Sequence, residues 1–84
     1  MKLETLRNQI EEIDIEMMKL FIKRMEVSKA IGHYKKENKL PVFDPQREKA
    51  LIDKYLLLIN DETLKSHYQS FIQHIMDLSK DIQK

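Results

Sequence analysis

Arg24 stands in a row that is otherwise apolar. Leu3, Leu6, Ile10, Ile13, Met17, Leu20, Val27, Ile31 and Tyr34 follow one another in steps of three and four, and the row requires a residue at 24. A guanidinium does not give up its proton, so on a buried seam it needs an anion, either a protein carboxylate or a ligand. Lys35 comes eleven residues later, about 20° past three whole turns, which puts both cations on one side of a helix roughly 16 Å apart. Together they could bracket a small dianion. Read singly, Lys35 is equally a surface lysine whose stem lies along the helix. Arg7 is about 25 Å from Arg24 along the same helix, out of reach of such a ligand, so it acts there only if a second chain supplies it. Otherwise it is an exposed helix residue.

Two further polar sets have helical spacing. Asp44, Arg47 and Glu48 lie at i, i+3 and i+4, on one face at the start of a second helix, where capping and a local ion pair also account for them. Ser79 and Gln83 continue the row of Ile72 and Met76, placing two uncharged hydrogen-bonding groups at the edge of an apolar face or on a fraying end. The three histidines, His33, His67 and His74, offer little for metal binding, since neither His67 nor His74 has an acidic residue four positions on. With no Cys nucleophile, Gly-rich phosphate loop or paired-acid motif, the chemistry left is positioning and fixed charge.

The elements that hold these residues must be helices. The 84-residue chain has one Gly and two Pro and is rich in Leu, Ile, Met, Lys and Glu, which predicts an all-α fold in a single domain, residues 1–84. Turn chemistry is confined to Asn38–Pro45 and Asn60–Asp61, which leaves three segments. The spacing predicts one long helix over Glu4–Glu37, a second from Pro45 to about Ile59 with Asp44 as its cap, and a third capped by Asn60 or Asp61. Apolar stripes are expected at Leu51, Tyr55 and Leu58 on the second, beginning at Glu48, and at Leu64, Tyr68, Phe71, Ile75, Leu78 and Ile82 on the third, with Ile72, Met76, Ser79 and Gln83 beside it.

A first helix about 50 Å long exceeds what two shorter helices can cover. A chain this short also buries only about 60–65% of its unfolded surface. An intertwined two-fold homodimer is therefore expected, the second copy covering the rest of the seam. The net charge of +1 argues against a nucleic-acid or acidic-membrane binder. No apolar run approaches the ~20 residues of a membrane span, and residues 1–20 alternate charge with hydrophobe, unlike a signal peptide, so a cytoplasmic location is expected.

Taken in order, these residues resemble one family. Leu6-Arg7 with Ile10, Ile13 and Asp14; Lys23-Arg24; Ile31-Gly32 and then Lys35; Leu40-Pro41-Val42; Asp44-Pro45-Gln46-Arg47-Glu48; and Ser79 with Gln83 are similar to the all-helical chorismate mutases of bacteria, over essentially the whole chain. The resemblance implies an intertwined dimer of three-helix chains, each site completed by an arginine from the other chain's long helix. It also implies the reaction, the unimolecular [3,3] rearrangement of chorismate to prephenate on the route to Phe and Tyr, without cofactor or covalent intermediate.

By position, Arg24 and the other chain's Arg7 would bind the two substrate carboxylates with help from Ser79, and Lys35 and Gln83 would donate to the ether oxygen. Glu48 would accept from the ring hydroxyl, with Arg47 and Asp44 supporting the site. Two other readings compete: an isochorismate-pyruvate lyase of the same fold, and a non-enzymatic helical dimerisation module. The run Arg47-Glu48 looks like the mutase rather than the lyase.

Overall fold

The computed structural model describes residues 1–84 and consists of three helices: α1 (Lys2–Glu37), α2 (Pro45–Leu58) and α3 (Glu62–Gln83). Their bounds lie within two residues of those the sequence predicts. Helix α1 runs 36 residues, with Glu4 in its first turn and Lys35 and Lys36 in its last, each charge complementing the helix dipole. It stops because Lys39 takes a left-handed conformation, φ 56°. There the Lys39 and Leu40 amides donate back to the Lys36 and Lys35 carbonyls at 3.3 and 2.8 Å, which satisfies the last turn and turns the chain toward Pro41.

Helix α2 begins with Pro45 in its first turn, and the Asp44 carboxylate accepts from the Arg47 amide at 3.1 Å. Asp61 caps α3, accepting from the amide and the hydroxyl of Thr63. Those two bonds, the hydroxyl's first, hold its carboxyl below the usual carboxylate range.

Helix α3 is the middle element, packing α1 on one side and α2 on the other. The core within one chain is small, since only 7 of 84 residues are buried. Ile52, Ile72 and Met76 form its centre, with Leu51, Tyr55, Leu56, Tyr68 and Ile75 packed around them. The chain measures 56 × 26 × 16 Å, and its radius of gyration of 16.0 Å exceeds the ~12 Å typical of a compact chain of this length.

The structure departs from the sequence reading in which rows face inward. The apolar row of α1 stays open in a single chain, with Ile10 at 59% and Leu20 at 64% exposure, and the residues buried on that helix are Met25, Ser28 and Gly32. On α3 the inner row is Ile72, Met76 and Ser79, whereas Leu64 and Phe71 of the expected seam are exposed. On α2, Leu58 is 71% exposed and Ile52 takes the inward place.

Small residues explain the choice between α1 and α3, because they let two backbones approach closely. The Ser28 and Ser79 hydroxyls are hydrogen-bonded to each other in the interface. At Gly32 a Cβ would lie 2.8 Å from the Gln83 carbonyl oxygen and 2.9 Å from its Cα. Gly32→Ala should therefore destabilise the protein. The substitution gains at most about 1 kcal/mol of helix propensity against roughly 1–3 kcal/mol for overpacking against backbone that cannot swing aside. A lower urea midpoint at unchanged slope is the expected result, and an unchanged or higher midpoint would mean that α1 and α3 can separate without loss.

Candidate active site

The end of α1, the start of α2 and the last turns of α3 enclose a cavity of about 430 Å³, a size suited to a small organic ligand. Arg24, Ser28 and Lys35 reach it from α1, Asp44, Arg47 and Glu48 from α2, and Ser79, Lys80 and Gln83 from α3. Val27, Ile31, Val42, Leu51 and Met76 supply its apolar wall. Seven of the eight residues singled out in the sequence therefore meet at one cavity. Arg7 does not line it; it is exposed near the far end of α1.

Four cations, Arg24, Lys35, Arg47 and Lys80, face two carboxylates, Asp44 and Glu48. The cavity therefore carries a surplus of two positive charges, which suits a dianion. Arg24 is the cation with most to gain. Its Nη1 is buried and has no hydrogen-bond partner in the chain, and the Gln83 side-chain oxygen is likewise buried and unpartnered. A buried donor left unmade costs on the order of 1–3 kcal/mol and more when charged, a cost that an anionic ligand removes. The internal carboxylate that could have paired with Arg24 is not present. Glu48, which lines the same cavity, is held instead by Gln73 and Lys80.

The remaining groups are placed by local bonds. Lys35 Nζ donates to the Val42 carbonyl at 2.8 Å, which ties the ammonium to the α1–α2 connection and leaves two of its three N–H groups for a ligand. Gln83 Nε2 makes a long 3.5 Å contact with Ser79 Oγ, itself held by Ser28. Asp44 lines the cavity while capping α2, so its local role and its place at the site coexist.

Sequence reasoning missed Ser28, Lys80 and Gln73. Gln73, Asp77 and Lys80 sit at i, i+4 and i+7, a signal that exists in the sequence but reads as a solvated helix face. In the structure that face turns toward Glu48. The bond to Glu48 first, then that to Asp77, pushes the Lys80 ammonium above the usual lysine range, with burial opposing. Asp77 is held below the carboxylate range by Gln73 and then Lys80. No three His, Cys, Asp or Glu side chains gather closely enough to hold a metal ion.

Fold and cavity together define a small all-helical protein whose cavity carries two surplus positive charges. The chain belongs to the chorismate mutase type II family, whose model matches residues 6–84. Among curated proteins it is 30% identical to the chorismate mutase of Methanocaldococcus jannaschii over 84 residues, 94% of this chain and 85% of that protein. It is 32% identical over 89 residues to the bifunctional chorismate mutase/prephenate dehydratase of Aquifex aeolicus. That match takes in 96% of this chain but only 25% of the relative, so the chain spans about a quarter of the bifunctional protein's length. Among solved structures, a conserved hypothetical protein from Pyrococcus furiosus superposes with a TM-score of 0.83 at 31% identity, over 100% of this chain and 97% of its own.

Proposed function

We propose that residues 1–84 form one chorismate mutase domain, which converts chorismate to prephenate in the cytoplasm as an intertwined homodimer. The observation that carries the reading is the buried, unpartnered guanidinium nitrogen of Arg24 at the wall of a cavity with two surplus positive charges. The family and the curated relatives supply the reaction class.

In this reading Arg24 and Arg7 of the partner subunit clamp the two substrate carboxylates, and Ser79 adds a hydrogen bond. The clamp holds a flexible substrate in its folded, reactive conformer, which removes part of the entropic barrier. As the ether C–O bond breaks and the new C–C bond forms, electron density builds on the ether oxygen. Lys35 and Gln83 donate there, so their bonds strengthen in the transition state relative to the ground state. Glu48 accepts from the ring hydroxyl and fixes the ring's orientation, with Arg47 and Asp44 beside it at the head of α2. No proton or covalent bond passes between substrate and protein.

Dimerisation is supported by the open row of α1 and by an apolar groove of about 420 Å³ beside it. Met17, Met18, Phe21, Phe71, Ile72 and Ile75 line that groove, which shares Arg24 with the active-site cavity. A second α1 laid along it would bury this surface and bring another chain's residues to Arg24. No helix is long and apolar enough to cross a membrane.

The test is the ultraviolet absorbance of chorismate on addition of the purified protein. Chorismate should disappear with formation of prephenate, while isochorismate should remain unchanged. A folded dimer that leaves chorismate intact would support the dimerisation module, and release of pyruvate from isochorismate would support the lyase.

A second measurement examines how the ether oxygen is stabilised. A glutamine amide donates at any ordinary pH, whereas glutamate donates only when protonated, with a reference pKa of ~4.3. Turnover by the native protein should therefore vary little between about pH 5 and 8 on account of this position. Gln83→Glu should be weak at about pH 7.5 and recover as pH falls. Desolvation raises the midpoint of that recovery and Lys35 lowers it. A mutant profile parallel to the native one would leave Lys35 as the principal donor, provided circular dichroism shows both proteins folded across the range.

A further inference from the structure

Lys80 differs from the other cations of the cavity in having its partners already. Its Nζ lies 3.0 Å from Glu48 Oε2 and 3.2 Å from Asp77 Oδ1, and 4.3 Å from the centre of the Phe43 ring. An ammonium has three N–H groups, and here three acceptors surround it. Gln73 Nε2 completes a ring of four side chains, donating to Glu48 Oε1 at 3.2 Å and to Asp77 Oδ1 at 3.1 Å. Both oxygens of Glu48 are thus gripped from α3, and the Glu48–Lys80 pair is largely shielded, at 17% and 21% side-chain exposure. Glu48 and Lys80 are also the two residues shared between the active-site cavity and a second groove on its far side, where Phe43, Ile52 and Gln73 lie. The pair is the wall between them.

A carboxylate in a site for a dianion presents a charge problem. Glu48 must accept from the ring hydroxyl without repelling the substrate carboxylates, and alone it offsets one of the cations that bind them. We propose that Lys80 is a positioning residue: through its bond to Glu48 it aims that carboxylate at the substrate's ring hydroxyl and cancels its charge, leaving Arg24 free for a substrate carboxylate and Lys35 for the ether oxygen. Lys80 itself makes no contact with substrate, because its three donors are engaged within the chain. This inference rests on the proposed mutase reading and deepens it, assigning the specificity for the ring hydroxyl to a pair rather than to Glu48 alone.

The test is a double-mutant cycle on kcat/KM for chorismate with Lys80→Met, Glu48→Gln and the double mutant. Met keeps the apolar stem beside Phe43, so only the charged head is removed. Lys80→Met should lower kcat/KM by about 10- to 100-fold, the scale of a misaimed contact. In the Glu48→Gln background the same change should cost less than about 3-fold, because its target is gone. Lys80→Arg, which restores a cation able to bond a carboxylate, should recover activity to within about 5-fold of the native protein. Circular dichroism melts of each variant separate loss of fold from loss of aim. If Lys80→Met costs the same factor in both backgrounds, or costs nothing, the inference is overturned while the mutase reading stands. If the native protein leaves chorismate unchanged, that reading falls and the inference falls with it.

Discussion

Arg24→Met should lower the turnover of chorismate by at least about 10²-fold and, at the same time, raise the melting temperature of the ligand-free protein. The two effects share one cause. The Arg24 guanidinium keeps Nη1 buried with no partner in the chain, so the free protein carries a desolvation cost that only a bound anion repays. A methionine at this position would border the groove lined by Met17, Met18, Phe21, Phe71 and Ile75 and would continue the apolar row of α1. Replacing a buried ion by a packed hydrophobe of similar volume is often stabilising by about 1–4 kcal/mol, which is several degrees for a domain of this size. The loss in rate is that of one charge-assisted donor at a preorganised site. Thermal melts and chorismate absorbance check both together, and a variant that melts lower while turning over normally would remove Arg24 from the site.

Arg7→Ala and Arg24→Ala should each be nearly inactive as homodimers, yet regain activity when refolded together. Each homodimer spoils both of its sites if a site combines Arg24 of one chain with Arg7 of the other. A mixed dimer concentrates both defects in one site and leaves the other intact. Random pairing makes half of the dimers mixed, so recovery should approach about a quarter of native activity per total site. The placement of Arg7, exposed and outside the cavity of its own chain, is what makes the experiment decisive. Mixed dimers confirmed by mass spectrometry but lacking recovered activity would mean that Arg7 does not complete a site across the dimer.

The three helices were legible in the sequence because the signals that begin, sustain and end a helix are local. Asp44 before Pro45, Asp61 before Glu62, and apolar residues at steps of three and four mark bounds that the structure moves by no more than about two residues. The polar residues picked out by their helical spacing were legible for the same reason, and seven of the eight gather at one cavity. Which row of each helix faces its neighbour was not legible. Hydrophobic periodicity favoured the Leu20–Val27 row of α1, yet Met25, Ser28 and Gly32 face α3 within the chain, since close approach there depends on what stands opposite.

The bond from Lys35 to the Val42 carbonyl, the closeness of Gly32 to Gln83 and the grip of Gln73 and Lys80 on Glu48 are of the same kind. Residues 48 and 80 are 32 positions apart, and nothing in either segment names the other. Amino-acid types alone determined that this chain makes long helices carrying cations where hydrophobes belong. The tertiary structure alone decided that Arg24 keeps a buried nitrogen without a partner in the chain while Glu48 is held by Gln73 and Lys80, because pairing between distant groups depends on how whole helices are set against one another.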